Sequence, residues 1–424
     1  MPLGCGDRIG AVRLAVIAVV LTATAASLSA DETVFRDIPL RQSITEVQPM
    51  TGLVLWSTND RNRDLPIQLE YAYLRYDDVI RGPDDFDWQF VESTLDSIAS
   101  RSHQAVLRFY FVYPGKESSV PAFIKAGDGY EETAGTSEGK PTTFCDWGSE
   151  LLQQTTLDFY SAFARRYDHD RRLAFLQTGF GLWAEYHIYD GPMTLGKTFP
   201  DKAFQARFVR HLDAAFVATP WSVSIDAADR SRSPLASDAS LRSLRFGLFD
   251  DSFLSQNHSG YNAKSWRAFG PNRWQTSPAG GEISYYTDHD QRLALAADGP
   301  HGIAFEDLAA RFHVTYMIAD GQPHYQSAAR IAAAGTALGY RFRVTRFRST
   351  AGRSEVTVLN EGIAPLYHDA FVAVDGVRAA GSLRGLLPGE AITFSVAAGG
   401  DQPRLTIESD RLVDGQKISF NASL

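Results

Sequence analysis

The chain has 424 residues, a formal net charge of −9, 12% aromatic residues and two cysteines. No run of Lys and Arg occurs, which excludes a nucleic-acid partner, because a polyphosphate is held by clustered cations. A single small domain is excluded by length, and no G-x-G-x-x-G follows the first strand-like run, so a dinucleotide fold has no support either.

Met1–Ala30 reads as a secretory signal: Arg8 and Arg13 precede the apolar Leu14 to Leu21, and small residues follow from Thr22. That apolar stretch is too short to span a bilayer, and no later segment approaches spanning length, so no stable membrane insertion is expected. Cys5 would leave with the signal. Cys145 then stands alone, and an exported protein of this size must be held by its core without a disulfide.

From residue 31 to 337, strand-like runs alternate with helical spacing. The strands are Gly52 to Trp56, Gln68 to Tyr76, Ala105 to Phe111, Leu173 to Gly179, Trp221 to Ile225, Leu244 to Leu248, Ala279 to Ile283 and Val314 to Ile318. Helical periodicity joins Val91, Leu95 and Ile98, then Leu152, Phe159 and Phe163, then Phe204, Phe208, Leu212 and Phe216, then Phe305, Leu308 and Phe312. Eight such strands predict an α/β fold, a closed (β/α)₈ barrel. The long segment Pro114 to Glu150, with Pro121, Pro141 and Trp147, follows the third strand and is expected to wall a pocket on the face where catalytic groups sit. From 338 to 424 the pattern changes to short strands broken by Asn360-Glu-Gly362, Asp375-Gly376, Pro388-Gly389 and Gly399-Gly400, which predicts a β-sandwich.

Two glutamates stand at strand ends, Glu185 after the fourth and Glu282 at the end of the seventh. In a barrel the carboxyl ends of the strands share one face, and facing carboxyl groups are what cleavage of a glycosidic bond requires. Phe180, Leu182 and Trp183 are expected to desolvate Glu185 and fit it for the acid role. Gly280 and Gly281 are expected to leave room for substrate beside Glu282, the nucleophile of a retaining mechanism. Arg75, Arg108, Tyr110, Trp183, His187, Asp226, Asp250, Asp251 and Tyr285 are the candidate substrate-binding residues, with Trp183 in a Gly-flanked loop suited to stacking a sugar ring.

No H-E-x-x-H, paired C-x-x-C, Asp-rich calcium loop or G-x-S-x-G elbow occurs, so neither a metal nor another cofactor is expected. Asp168-His-Asp170 and Asp288-His-Asp290 read as surface turns. The predicted function is hydrolysis of a glycosidic bond in an extracellular or periplasmic polysaccharide or oligosaccharide, by a secreted or periplasmic protein; the rival is a carbohydrate-binding barrel without turnover.

Gln104–Phe111, Gly179–His187 and Asn360–Tyr367 resemble bacterial exported barrel proteins of domain-of-unknown-function family 4832, often found with family 4874. That family is similar to the large glycoside hydrolase barrel clan. The resemblance implies the acid/base at Glu185 and the nucleophile at Glu282. It also marks two departures: Ala184 stands where many members of the clan have an Asn that binds the sugar 2-hydroxyl, and Asp250 and Asp251 stand where many have a tyrosine.

Overall fold

The computed structural model describes residues 34–424, and the signal-like segment Met1–Ala30 lies outside the described residues. Eight parallel strands close into a barrel in sequence order: β1 (Gly52–Trp56), β2 (Leu69–Arg75), β3 (Gln104–Tyr110), β4 (Leu173–Thr178), β5 (Trp221–Ser224), β6 (Phe246–Phe253), β7 (Ala279–Ile283) and β8 (Tyr316–Ile318), with β8 pairing back to β1. Six of the predicted runs contain their strands; β3 starts one residue early, at Gln104, and β6 extends well past its expected end, carrying Asp250 and Asp251 within the strand.

The helices outside the barrel form where apolar residues fall on one face. The helix Gln89–Ala99 buries Val91, Leu95 and Ile98, each contributing about 1.5–3 kcal/mol by leaving water. Its neighbours begin on side-chain caps: Ser149 accepts from the Leu152 amide ahead of Glu150–Tyr167, and Asp201 accepts from the Phe204 amide ahead of Lys202–Ala215. The segment Pro114 to Glu150 has structure of its own, a short helix Ala122–Lys125 and a hairpin of Thr133–Ser137 with Lys140–Phe144. Trp147 and Cys145 are fully buried in the packing behind it.

The C-terminal region forms two sheets. One is six-stranded, built on Phe342–Ser349, Ser354–Asn360 and Ala391–Val396 with Asn421–Ser423; the other is three-stranded, with Phe371–Val374 between Val377–Arg378 and Leu405–Glu408. Val344, Val358 and Phe394 of the first share an apolar cluster with Val372, Val374 and Ile407 of the second, and the cluster continues into Val54, Val106 and Phe175 inside the barrel. The sequence places 31–337 in the barrel, yet Arg36–Asp37 pairs with Phe342–Ser349 and Arg41–Gln42 pairs with Asn421–Ser423. These two-residue strands are exposed and lack alternation, so only the ladder places them. Phe35–Leu424 forms one compact unit. No helix among the described residues is long and apolar enough to cross a membrane.

Candidate active site

Arg108 sits at the centre of the barrel mouth and is fully buried. Its Nε donates to Gln177 Oε1 at 2.8 Å, and its Nη1 donates to Tyr73 Oη at 2.9 Å, to the Trp183 carbonyl at 3.1 Å and to Asp251 Oδ2 at 2.8 Å. Gln177 in turn donates to Tyr316 Oη at 2.9 Å, and the Phe249 ring lies 4.1 Å from the guanidinium carbon. The strand registers explain the assembly: Tyr73 pairs with Arg108, Arg108 with Gln177, and Phe249 with Gly280, so inward side chains of neighbouring strands meet at one level. Burial opposes the guanidinium charge most strongly, but Asp251, Tyr71 and Tyr73 together outweigh it and hold the charged form.

Glu185 reaches this centre through an unusual turn. Trp183 and Ala184 both have left-handed backbone, φ 54° and 56°, at a cost on the order of 1–2 kcal/mol each. The amide of Trp183 donates to the Val112 carbonyl at 3.1 Å, and that of Glu185 to the Leu182 carbonyl at 2.9 Å, which holds the turn. Gly179 and Gly181 are required here, because a Cβ on Gly179 would stand 2.1 Å from the Ala184 oxygen and one on Gly181 1.9 Å from the His187 oxygen.

The Glu185 carboxyl, 8% exposed, lies 3.7 Å from Arg108 Nη1 and 2.7 Å from His187 Nε2. Burial, then the charge of Asp251, raises its pKa to about 8. His187 is itself raised to about 9: burial disfavours its charge, but Glu185 and Asp226 outweigh that. Glu282 is also raised well above the usual carboxyl range, by burial first, then by Asp251 and Glu185 against the counter-pull of Arg108. Three carboxyl groups thus face one guanidinium, and like charges this close do not all ionise.

The remaining candidates divide. Asp226 lies 3.8 Å from His187 and accepts from Tyr261 Oη at 2.9 Å. Trp183 stacks on Tyr189 at 5.7 Å, and Tyr110 packs with Tyr73 and Tyr113, forming an aromatic wall on one side of the mouth. Tyr285 is 52% exposed at the rim on the Glu282 side. Arg75 is on the rim beside Tyr110, but Asp77 accepts from its Nε at 2.8 Å and from Nη2 at 2.7 Å, so it stays outside the carboxyl cluster.

Asp250 corrects the sequence reading. It points away from the mouth, accepting from Asn262 Nδ2 at 2.9 Å, Ser252 N at 3.0 Å and Trp266 Nε1 at 3.2 Å, and burial raises its pKa to about 7. Phe249 and Asp251 occupy the inward face of β6, which leaves the outward face to Asp250. Two supporting expectations also change. Phe180 packs on Trp147, Phe204 and Phe208 in the outer core and does not desolvate Glu185. The space above Gly280 is filled by the Tyr316 ring and that above Gly281 by the Asp250 backbone, so neither opens room for substrate.

Sequence reasoning left out Tyr73, Gln177 and Asp320. Asp320, two residues past β8, accepts from the Trp56 amide at 2.8 Å and Asn59 Nδ2 at 2.7 Å, and its charge acts on Glu282. The strand-end rule that selected Glu185 would have selected it. Glu185, His187 and Asp226 offer one ligand atom each within 4.8 Å and are the side chains at the mouth able to hold a divalent cation.

No family model and no curated protein matches this chain. Solved structures that align with it include an alpha-galactosidase from Thermus thermophilus in complex with p-nitrophenyl alpha-D-galactopyranoside, at 14% identity, TM-score 0.39, covering 75% of this chain and 66% of that one. A family 39 glycoside hydrolase from Bacteroides cellulosilyticus WH2 aligns at 9% identity, TM-score 0.40, covering 84% and 82%. An Anoxybacillus alpha-amylase aligns at 10% identity, TM-score 0.37, covering 85% and 96%. The chain spans 56% and 55% of two further alpha-galactosidase structures. At these levels of likeness the functional reading rests on the geometry of the mouth itself.

Proposed function

We propose that this protein is an exported glycoside hydrolase acting on a polysaccharide or oligosaccharide, with Glu185 as proton donor and Glu282 as the attacking carboxylate of a retaining mechanism. The observation that carries the reading is the convergence of Glu185 and Asp251 on the buried Arg108, with Glu282 near enough that the charges of all three act on it. Glycosidic cleavage passes through a cation-like sugar, and a mouth richer in carboxyl groups than in cations favours that charge as it develops. Asp251 makes the direct ion pair with Arg108. It raises both glutamates, so Glu185 keeps its proton for the leaving oxygen to about pH 8; Glu282 attacks as the carboxylate after its proton has passed to solvent, a form that the charge of Arg108 favours. The wall of Trp183, Tyr189, Tyr113 and Tyr110 offers flat faces for sugar rings.

The same reading takes the two C-terminal sheets as a sandwich that buttresses the barrel, and the family 4832 resemblance as kinship with the hydrolase clan. One observation favours a second reading, a binding barrel without turnover: Ala184 is fully buried beside Glu185 and offers no amide for a 2-hydroxyl. Purified protein screened on a broad glycan panel, with reducing ends and binding read together, separates the two. New reducing ends on at least one glycan, lost in Glu282→Gln, are expected. Binding without product from any ligand would establish the second reading.

A further inference from the structure

The connection from β7 to β8 holds a cluster that the mouth does not use. The helix Asp288–Leu293 presents His289 and Asp290, and His301 folds back onto them. His301 Nε2 lies 2.7 Å and His289 Nδ1 3.6 Å from the same oxygen, Asp290 Oδ1, and the two imidazoles are 5.3 Å apart at a tilt of 33°. One donor atom from each residue falls within 4.8 Å of the others.

The Asp290 side chain is 3% exposed, and among the described residues its ion-pair partners are these two histidines alone. The cation next to it in sequence, Arg292, is engaged by Asp288. Two imidazoles thus converge on one oxygen of a buried carboxylate. From this geometry we propose that His289, Asp290 and His301 form a binding site for a divalent transition metal of the zinc class.

Two imidazole nitrogens and a carboxylate oxygen are a donor set for zinc, cobalt or nickel, and not for magnesium or calcium. Metal–ligand bonds of about 2.0–2.1 Å in a tetrahedron place ligand atoms about 3.3–3.4 Å apart. The two contacts to Asp290 straddle that spacing, so small side-chain rotations complete the site. A fourth position opens to solvent on the side of His289, whose side chain is 55% exposed.

The surroundings give the site a purpose. Thr287 Oγ1 accepts from the Asp290 amide at 3.0 Å and fixes the ligand-bearing turn. The next side chain, Gln291, donates to the Ile283 and Ser284 carbonyls at 3.0 and 2.8 Å, at the end of the strand that carries Glu282. An ion joining the helix to His301 therefore clamps the wall behind Glu282 and stands apart from the reacting groups.

The test uses full-length protein stripped of metal with a chelator and dialysed. Zinc chloride alone is titrated by calorimetry, and cobalt(II) by visible absorption. One equivalent per chain is expected, with the intense d–d bands of four-coordinate cobalt and an upward shift of the thermal midpoint on adding zinc. His289→Ala and His301→Ala should each weaken binding tenfold or more and abolish that shift, while His187→Ala leaves both unchanged. Because His289 is largely exposed, His289→Ala without metal should melt with the metal-free wild type, so loss of binding there reports a lost ligand. The proposal is overturned if zinc fails to saturate at millimolar concentration, if binding survives both substitutions, or if only His187→Ala removes it, which would put the ion at the mouth.

Discussion

Arg108 at the mouth of the barrel and Arg411 at its opposite end are both buried, and their charges are treated in opposite ways. Burial works against each guanidinium. At Arg108 the Asp251 carboxylate, with Tyr71 and Tyr73, outweighs it. At Arg411 burial prevails and lowers the pKa to about 10, because its direct partners are neutral: the Asp168 carbonyl at 2.9 Å, the Leu173 carbonyl at 2.7 Å and Thr219 Oγ1 at 3.0 Å. The second arginine ties the C-terminal region to the base of β4 through directional hydrogen bonds. The first keeps a full charge pair where carboxyl groups must be held apart in protonation. One buried guanidinium is thus set against carboxyl groups and the other against backbone carbonyls and a hydroxyl.

The hardest test of that division is at the two glutamates. Glu282→Gln should abolish turnover of every glycoside, while Glu185→Gln should slow substrates with poor leaving groups by about 10²–10⁴ and spare activated aryl glycosides in the first step. Steady-state rates on both substrate types check this; retained activity in Glu282→Gln would move the nucleophile to Asp251, the other inward carboxylate.

Asp251→Asn leaves Arg108 buried without its anion, so a stability loss of about 3–5 kcal/mol is expected from chemical denaturation. It also removes the second-largest cause of the high Glu185 and Glu282 pKa values, so the alkaline limb of the pH–rate profile should move toward acid. An unmoved limb would show that Asp251 does not set the protonation of the pair.

The pH dependence of stability has a definite sign. Glu185 is raised from 4.5 to about 8, so the stability of its neutral form is fully present below about 4.5 and is lost as pH rises through about 8. The thermal midpoint should therefore fall across this range, and Glu185→Gln should flatten the slope.

At the other end of the barrel, Arg411→Ala strands carbonyl groups without a donor and should cost about 1–3 kcal/mol with turnover unchanged. A loss of activity beyond the loss of folded protein would break the separation of the two ends. The smallest effect belongs to Asp250→Asn, for which kcat should stay within about fivefold of wild type, or ~1 kcal/mol, because Asp250 faces Trp266 and Asn262 and not the mouth.

Much of this was legible in the sequence. The eight strands were readable because both faces of a barrel strand are buried, which leaves runs such as Leu173–Thr178 apolar enough to stand out. Glu185 and Glu282 followed from strand order, since parallel closure puts every strand's end on one face. The choice between Asp250 and Asp251 did not follow. Adjacent residues on a strand face opposite ways, and which of them faces inward depends on register, here with an irregularity between Asp250 and Phe253.

Arg108 was visible as a strand-end cation, but not as the hub of the mouth, because its partners Tyr73, Gln177 and Asp251 come from three other strands. The exposed pairings of Arg36–Asp37 and Arg41–Gln42 were equally hidden, since backbone ladders leave no mark on residues with no buried face. The sequence by itself determined which segments are buried, in what order they close, and which carboxyl groups stand at strand ends, because burial and parallel closure act through local apolar pattern and chain order. Only the tertiary structure decided which of those groups meet and which keep a proton, because desolvation and charge coupling depend on distances of a few ångströms between residues far apart in the chain.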